Sequence, residues 1–354
     1  MPTWFTRRAR RQTVAASAAV LALSLTVSGC GSSDDKDTST SGKSGAGFPV
    51  KIKSALGTAE IEKKPERVVT LGQGSAETSI ALGNTPVGME SYPWGSDKTG
   101  YLPWVHEAVK KKGDKLPTQF KGGEDIDVEK IVELEPDVIL APWSGITQKQ
   151  YDVLSDIAPT VAYPDLPWTT DWDDQMDLIG KALGKEKKAD ELKADIQKQF
   201  ADERKKHPEY QDVTYSYIYN NGPGTLGVFK PEEQRVKMVS SLGLKTDPVV
   251  NDFKETKGTA SALIGLENGH KLKDSDLIFT FYSDEKNRKE IEKQPLYAKI
   301  PAIKNGAVVS SEDKPFVTAS SLINPLTVPW VIDRYEPMID KAIEKAEKAD
   351  KADK

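Results

Sequence analysis

From residue 48 onward, short runs of β-branched and aromatic residues alternate with stretches whose apolar positions recur every three or four residues. In the first half the runs RVVTLG (67–72), PVGME (86–90), DVILAP (137–142) and PTVAYP (159–164) are bounded by Gly, Pro, Asn and Asp, which predicts strands. Between them SAETSIALG (75–83), DVEKIVELEP (127–136) and TQKQYDVLSDIA (147–158) carry the helical period. Strand and helix in alternation predict an α/β fold with mainly parallel sheets flanked by helices.

Two helical patterns follow. TTDWDDQMDLIGKALG (169–184) opens with Thr170 and Asp173 at capping-box spacing, puts Trp172, Met176, Ile179 and Leu183 on one face, and should stop at Gly184. The second, 186–207, is mostly charged, with Leu192, Ile196, Phe200 and Glu203 in a narrow stripe before Pro208. About twenty residues at 1.5 Å each reach about 30 Å, the width of a small domain. Such a helix suits a strut between two lobes. Strand runs resume at VTYSYIYN (213–220), TLGVF (225–229), DLIFTFYS (276–283) and AVVSSE (307–312). The last helix shows Val328, Val331, Tyr335, Met338, Ile339 and Ala342 on one side, and KAEKADKADK reads as a solvated end.

The first thirty residues break this rhythm. Arg7, Arg8, Arg10 and Arg11 precede an apolar core at 14–27 and then small residues, the layout of a secretory signal peptide and shorter than a membrane span. Val27-Ser28-Gly29-Cys30 resembles a bacterial lipobox, so the chain's single cysteine is read as a lipidation site; with one thiol no internal disulfide can form. Acyl chains worth roughly 0.8 kcal/mol per buried methylene would hold a soluble domain at a membrane. Residues 31–47 are rich in Gly, Ser, Thr, Asp and Lys and read as a disordered tether. The expected organisation is therefore a signal peptide at 1–29, lipidated Cys30 and tether at 30–47, an N-terminal lobe at 48–185, a bridging helix at 186–207 and a C-terminal lobe at 208–354. The chain carries 49 Lys and Arg against 54 Asp and Glu, with no basic block after the leader, which argues against a nucleic-acid partner.

Catalytic signatures are missing. LGQGSAETS (71–79) imitates a dinucleotide turn but has Glu77 where a third small residue belongs, and no Gly-x-Ser-x-Gly, phosphate loop or His-Glu-x-x-His occurs. The histidines are His106, His207 and His270, too few to converge on a bare transition-metal ion as cargo; His207 and His270 are read as solvent-exposed.

PERVVTLGQGSAETSIALGNTPVGMESY (65–92), IDVEKIVELEPDVILA (126–141) and SSLINPLTVPWVIDRYEP (320–337) resemble the substrate-binding lipoproteins of ABC importers for ferric siderophores, haem and cobalamin, and the last segment resembles the ferric-siderophore branch. The resemblance runs from Pro65 to about Ala342. It implies two lobes bridged by one rigid helix, a ligand cleft between them, a monomer anchored by lipid outside the cytoplasmic membrane, no cofactor, no catalysis and no protein ligand to the siderophore's iron. It also implies an exposed glutamate on each lobe that docks on arginines of an ABC permease. Motif matching selects Glu129 and, in IGLENGHKLKDSDLI, Glu267, whose spacing to its following aspartate is one residue longer.

Ligands of open α/β sheets collect beyond the carboxyl ends of strands. Here those ends offer Trp94, Tyr101, Trp143 and Trp168 from the first lobe and Tyr219, Phe229, Arg235 and Tyr282 from the second as siderophore contacts, with Gln73, Ser75, Tyr92, Asn220, Ser320 and Asn324 nearby. Arg235 is the expected cleft cation, with Lys121 and Lys230 as helpers; a cleft rich in aromatics and poor in arginine leans toward a hydroxamate complex over an anionic catecholate. Cobalamin or haem as ligand, an α/β enzyme of the envelope, and a purely structural lipoprotein are the competing readings.

Overall fold

The computed structural model describes residues 47–220, 222–257 and 259–352. The leader, Cys30 and nearly all of the tether lie outside the described residues. A hairpin comes first: β1 (Val50–Lys53) and β2 (Thr58–Ile61) pair antiparallel with Val50 opposite Ile61. Four residues per strand give too little alternation to register as a pattern. Its Ile52 and Ile61 are buried with Phe48 against Ile179, Ala182 and Leu183.

The first sheet contains β3 (Val68–Thr70), β4 (Gly88–Glu90), β5 (Thr118–Phe120), β6 (Val138–Leu140) and β7 (Thr160–Val161), in the order β5-β4-β3-β6-β7 and wholly parallel. Val68, Val138 and Leu140 face one core and Val69 and Ile139 another. Burial on both faces is why these strands read as unbroken apolar runs. Connections are made by α1 (Ser75–Ala81), α2 (Pro103–Lys112), α3 (Val128–Glu133) and α4 (Gln148–Ser155). Thr147 and Gln150 form a capping box on α4, and Asp127 caps α3 by accepting from the Lys130 amide. α5 (Trp172–Ala182) starts one residue later than its capping pattern suggested: the Thr170 hydroxyl donates to the Pro142 carbonyl at 2.5 Å, leaving Asp171 at the N-cap. Gly184 ends this segment in the left-handed region at φ +62°.

α6 (Glu186–Lys206) is the strut, 21 residues with Ala189, Ile196 and Phe200 buried. Beyond it, β8 (Thr214–Tyr219) is flanked on one edge by β12 (Leu277–Phe281) and on the other by β9 (Gly227–Phe229) and β10 (Lys245–Thr246), with β11 (Ser261–Leu263) and β13 (Val308–Ser311) outermost. Pairs β8–β12, β12–β13 and β8–β10 are parallel; β9 is antiparallel to both β8 and β11, so this sheet is mixed. Its helices are α7 (Gln234–Ser241), α8 (Val249–Asp252), α9 (Glu285–Glu292), α10 (Pro301–Lys304), α11 (Lys314–Ala319) and α12 (Thr327–Ala352). The tail expected as a solvated end continues α12 as far as Ala352, with Ala346 packed against the core.

The two lobes repeat one device. Asp137, just before β6, accepts from the amides of Glu66 at 2.7 Å and Arg67 at 2.9 Å, fixing the start of β3. Asp276, just before β12, accepts from the Thr214 amide at 2.7 Å and its hydroxyl at 2.7 Å, fixing β8. Each aspartate thus sets the register of its lobe's central strand.

Across the lobes the apolar core is unbroken. One cluster joins Ala76, Ile80, Trp104 and Val105 of the first lobe, Ile196 and Phe200 of α6, and Tyr215, Phe279 and Tyr335 of the second. Trp104 meets Trp330 edge-on at 5.4 Å between ring centres. Lobes sharing close-packed core can rock but not swing apart.

Candidate functional site

The carboxyl ends of β3 and β6 carry Gln73 and Trp143, and the loop after β7 carries Trp168. Facing them, the end of β9 carries Phe229, and the start of α7 carries Arg235 and Lys237. Between these sets lies a cavity of 650 Å³, also lined by Leu166, Asp171, Glu232, Glu233, Glu255 and Ser261. That volume is in the range of small-molecule sites. A groove of 740 Å³ at the amino ends of the first sheet, lined by Lys64, Arg67 and Lys185, belongs to one lobe only and lies away from the facing strand ends.

Trp168 is 50% exposed and its indole packs edge-on against Trp143, with 4.9 Å between centres. Its backbone sits at φ +63°, sterically costly for a bulky residue, and its amide donates to the Ser144 carbonyl at 3.2 Å. Gly145 makes room: a Cβ there would fall 2.4 Å from the indole. Gly72 permits the approach of the Trp143 turn, since a Cβ at Gly72 would lie 2.0 Å from the Trp143 carbonyl oxygen. The same indole borders a second cavity of 710 Å³ in the first lobe, lined by Glu90, Asp125 and Gln150 among others.

On the opposite wall the Arg235 guanidinium lies 5.0 Å from the Phe229 ring centre and 5.5 Å from that of Phe281. Glu233 pairs with the guanidinium and accepts from the Arg235 amide at 2.6 Å. The buried Nε of Arg235 has no hydrogen-bond partner among the described residues. A cation stacked on two rings and clamped by Glu233 in the cavity wall offers its positive charge to a ligand oxygen. Behind it, burial holds the Tyr217 and Tyr335 hydroxyls protonated by pushing both above the usual phenol range. Lys237 forms an ion pair with Asp171 across the mouth of the cavity.

Of the eight contacts expected from sequence, Trp143, Trp168, Phe229 and Arg235 meet at this cavity. Tyr219 stands behind: its ring is 4.7 Å from Phe229 and its hydroxyl 3.0 Å from Ser261 Oγ. Tyr101 donates its hydroxyl to the Pro117 carbonyl at 2.9 Å, while Trp94 is exposed on a loop whose Gly95 abuts Thr318 of the other lobe; neither lines the cavity. Tyr282 is withdrawn into the second lobe's core, its hydroxyl 3.1 Å from that of Tyr297. Lys230 is buried too, donating to the carbonyls of Val250, Asn251 and Phe253. Asn324 caps α12 by accepting from the Leu326 and Thr327 amides. Lys121 is exposed and paired with Asp125.

Of the charged lining residues, Asp171, Glu232, Glu233, Lys237 and Glu255 were not expected from sequence. Four of the five lie beside residues that the sequence did single out, Thr170 and Arg235. No histidine lines the cavity. Glu129 and Glu267 are both exposed in the first turn of a helix, α3 and the 3₁₀ segment Leu266–Leu272, each followed by the aspartate-clamped strand of its lobe. Among the described residues neither carboxylate is in an ion pair with a basic side chain, and Glu267 accepts from Asn268 at 3.2 Å.

The family model described as "Periplasmic binding protein" matches residues 68–315. The crystal structure of Streptococcus pneumoniae PiaA in complex with ferrichrome superimposes with a TM-score of 0.75 and 33% identity, covering 83% of this chain and 99% of that one. The probable siderophore-binding lipoprotein YfiY of Bacillus subtilis is 28% identical over 287 residues, 77% of this chain and 82% of the relative. The ferric enterobactin-binding periplasmic protein FepB of Escherichia coli is 28% identical over 283 residues, 74% and 84% of the two chains.

Proposed function

Because the chain belongs to the periplasmic binding protein family, we propose that it captures a ferric siderophore between its lobes and delivers it to an ABC permease for iron uptake. The observation that carries this is the interlobe cavity, with an aromatic wall at Trp143 and Trp168 and a stacked, incompletely satisfied Arg235 opposite. The ferrichrome complex of the similar PiaA supports it. Binding here involves no bond-making step, and the siderophore's own oxygens hold the iron.

The charge of the lining supports a ligand class. Two cations, Arg235 and Lys237, face four carboxylates, Asp171, Glu232, Glu233 and Glu255. A ferric tris-catecholate carries several negative charges and would be repelled by that excess; a neutral or cationic ferric hydroxamate would not. Titration of the lipid-free chain with ferric hydroxamates, ferric catecholates, haem and cobalamin, followed by tryptophan fluorescence, tests both levels. Submicromolar quenching by a hydroxamate supports the whole reading, tight catecholate binding overturns the ligand class, and a response to haem or cobalamin alone overturns the siderophore.

Delivery runs through Glu129 and Glu267, one exposed carboxylate per lobe, engaging permease arginines. Replacing both by Ala should abolish uptake in cells and leave the siderophore Kd unchanged; normal uptake by the double variant would remove them from that role. No helix among the described residues is long and apolar enough to cross a membrane. A monomer held outside the cytoplasmic membrane by lipid on Cys30 fits this role.

A further inference from the structure

Far from the cleft, the last turn of α6 meets the middle of α12 around His207. This residue, read from sequence as solvent-exposed, is 9% exposed, with its ring stacked on Tyr210 at 4.6 Å. Glu203, one helical turn earlier, and Glu336 of α12 each place an oxygen so that the three ligand atoms lie within 4.8 Å of one another. His207 Nδ1 is 3.0 Å from Glu209 Oε1, whereas buried Nε2 has no hydrogen-bond partner among the described residues and lies 3.3 Å from Glu336 Oε1. Asp340, 3.8 Å from Nδ1, accepts the Tyr210 hydroxyl at 2.7 Å, and Lys206 pairs with the other oxygen of Glu336.

In the tautomer that donates Nδ1–H to Glu209, Nε2 presents a lone pair to the Glu336 carboxylate, and two acceptors at that distance need a positive charge between them. We propose that Glu203, His207 Nε2 and Glu336 form a divalent transition-metal site, of which zinc is the natural probe, stapling the end of the strut to the C-terminal helix. Tetrahedral zinc with ligands near 2.0–2.1 Å has edges of about 3.4 Å, close to the separation seen between Nε2 and Glu336. One imidazole and two carboxylates suit a borderline ion, water completes the shell, and Glu209 is the outer carboxylate that fixes the tautomer. Lys206 keeps its own oxygen of Glu336, leaving the other for the metal. The site is independent of the cleft and carries no transport role.

The test is equilibrium dialysis of the lipid-free, untagged, chelator-treated chain against zinc chloride, beside His207→Gln and Glu336→Gln, with thermal melting and zinc X-ray absorption on the same samples. Expected are one zinc per chain with a Kd in the micromolar range or below, a Tm that rises with zinc, an imidazole in the absorption spectrum, and at least tenfold weaker binding by each variant. Siderophore affinity serves as the folding control. Less than half an equivalent bound at 100 µM free zinc, or equal binding by both folded variants, overturns the site; in that case the positive charge between His207 and Glu336 is a proton.

Discussion

Trp168 gives a sharp test because it combines a ligand surface with a strained backbone. Half of its surface is buried, about 100 Å² of the roughly 150–250 Å² an aromatic can hide, worth about 2.5 kcal/mol at 25 cal/mol per Å², and truncation forfeits most of it. Holding an L-residue at φ +63° costs about 1–2 kcal/mol, a strain that Ala retains and Gly sheds. Trp168→Gly is therefore expected to be about 1 kcal/mol more stable than Trp168→Ala, the reverse of their usual order in a helix. Urea midpoints at constant slope measure this, and a siderophore titration measures function, where both variants should bind at least tenfold more weakly. An Ala variant as stable as the Gly variant would refute the strain; unchanged affinity in both would remove the indole from the site. Gly145→Ala, which drives a methyl into the indole, should weaken binding in the same way.

Arg235→Lys exchanges a stacked fork for a point charge and should weaken siderophore binding tenfold to a hundredfold, the equivalent of about 1.5–3 kcal/mol, with little change in Tm; an unaltered Kd would contradict a direct contact. Glu77 is buried, with the Trp104 indole donating to it at 3.0 Å, and burial raises its carboxyl above the ordinary range. A raised folded value means this group's stabilisation is present at acid pH and lost as pH climbs through that value. Glu77→Gln keeps the acceptor and removes the charge, so it should melt above the parent at pH 8, the gap closing toward pH 4; a gap that widens in acid would invert the assignment.

Strands buried on both faces announced themselves, since Val68 to Thr70, Val138 to Leu140 and Leu277 to Phe281 have no polar alternation to obscure them. The hairpin, β5, β10 and β11 were not legible, because two to four residues at an edge leave hardly a period to detect. At the site, strand ends located Trp143, Trp168, Phe229 and Arg235. Strand ends alone do not say which way a side chain turns, so Tyr282, one residue past β12, entered the core. Lys230 likewise was one residue past β9, yet its ammonium serves three carbonyls that only the fold brings together. His207 was misread for the same reason: its burial depends on α12, over a hundred residues away.

The shared core between lobes bears on traffic at the membrane. Trp104 against Trp330 holds the lobes at a nearly fixed separation, so on the proposed docking Glu129 and Glu267 present almost the same pair of carboxylates whether the cleft is full or empty. An empty receptor is then a competitive inhibitor of a loaded one. Iron uptake should pass through a maximum as receptor copies outnumber permeases, and the cell gains more from matching the two than from making receptor in excess.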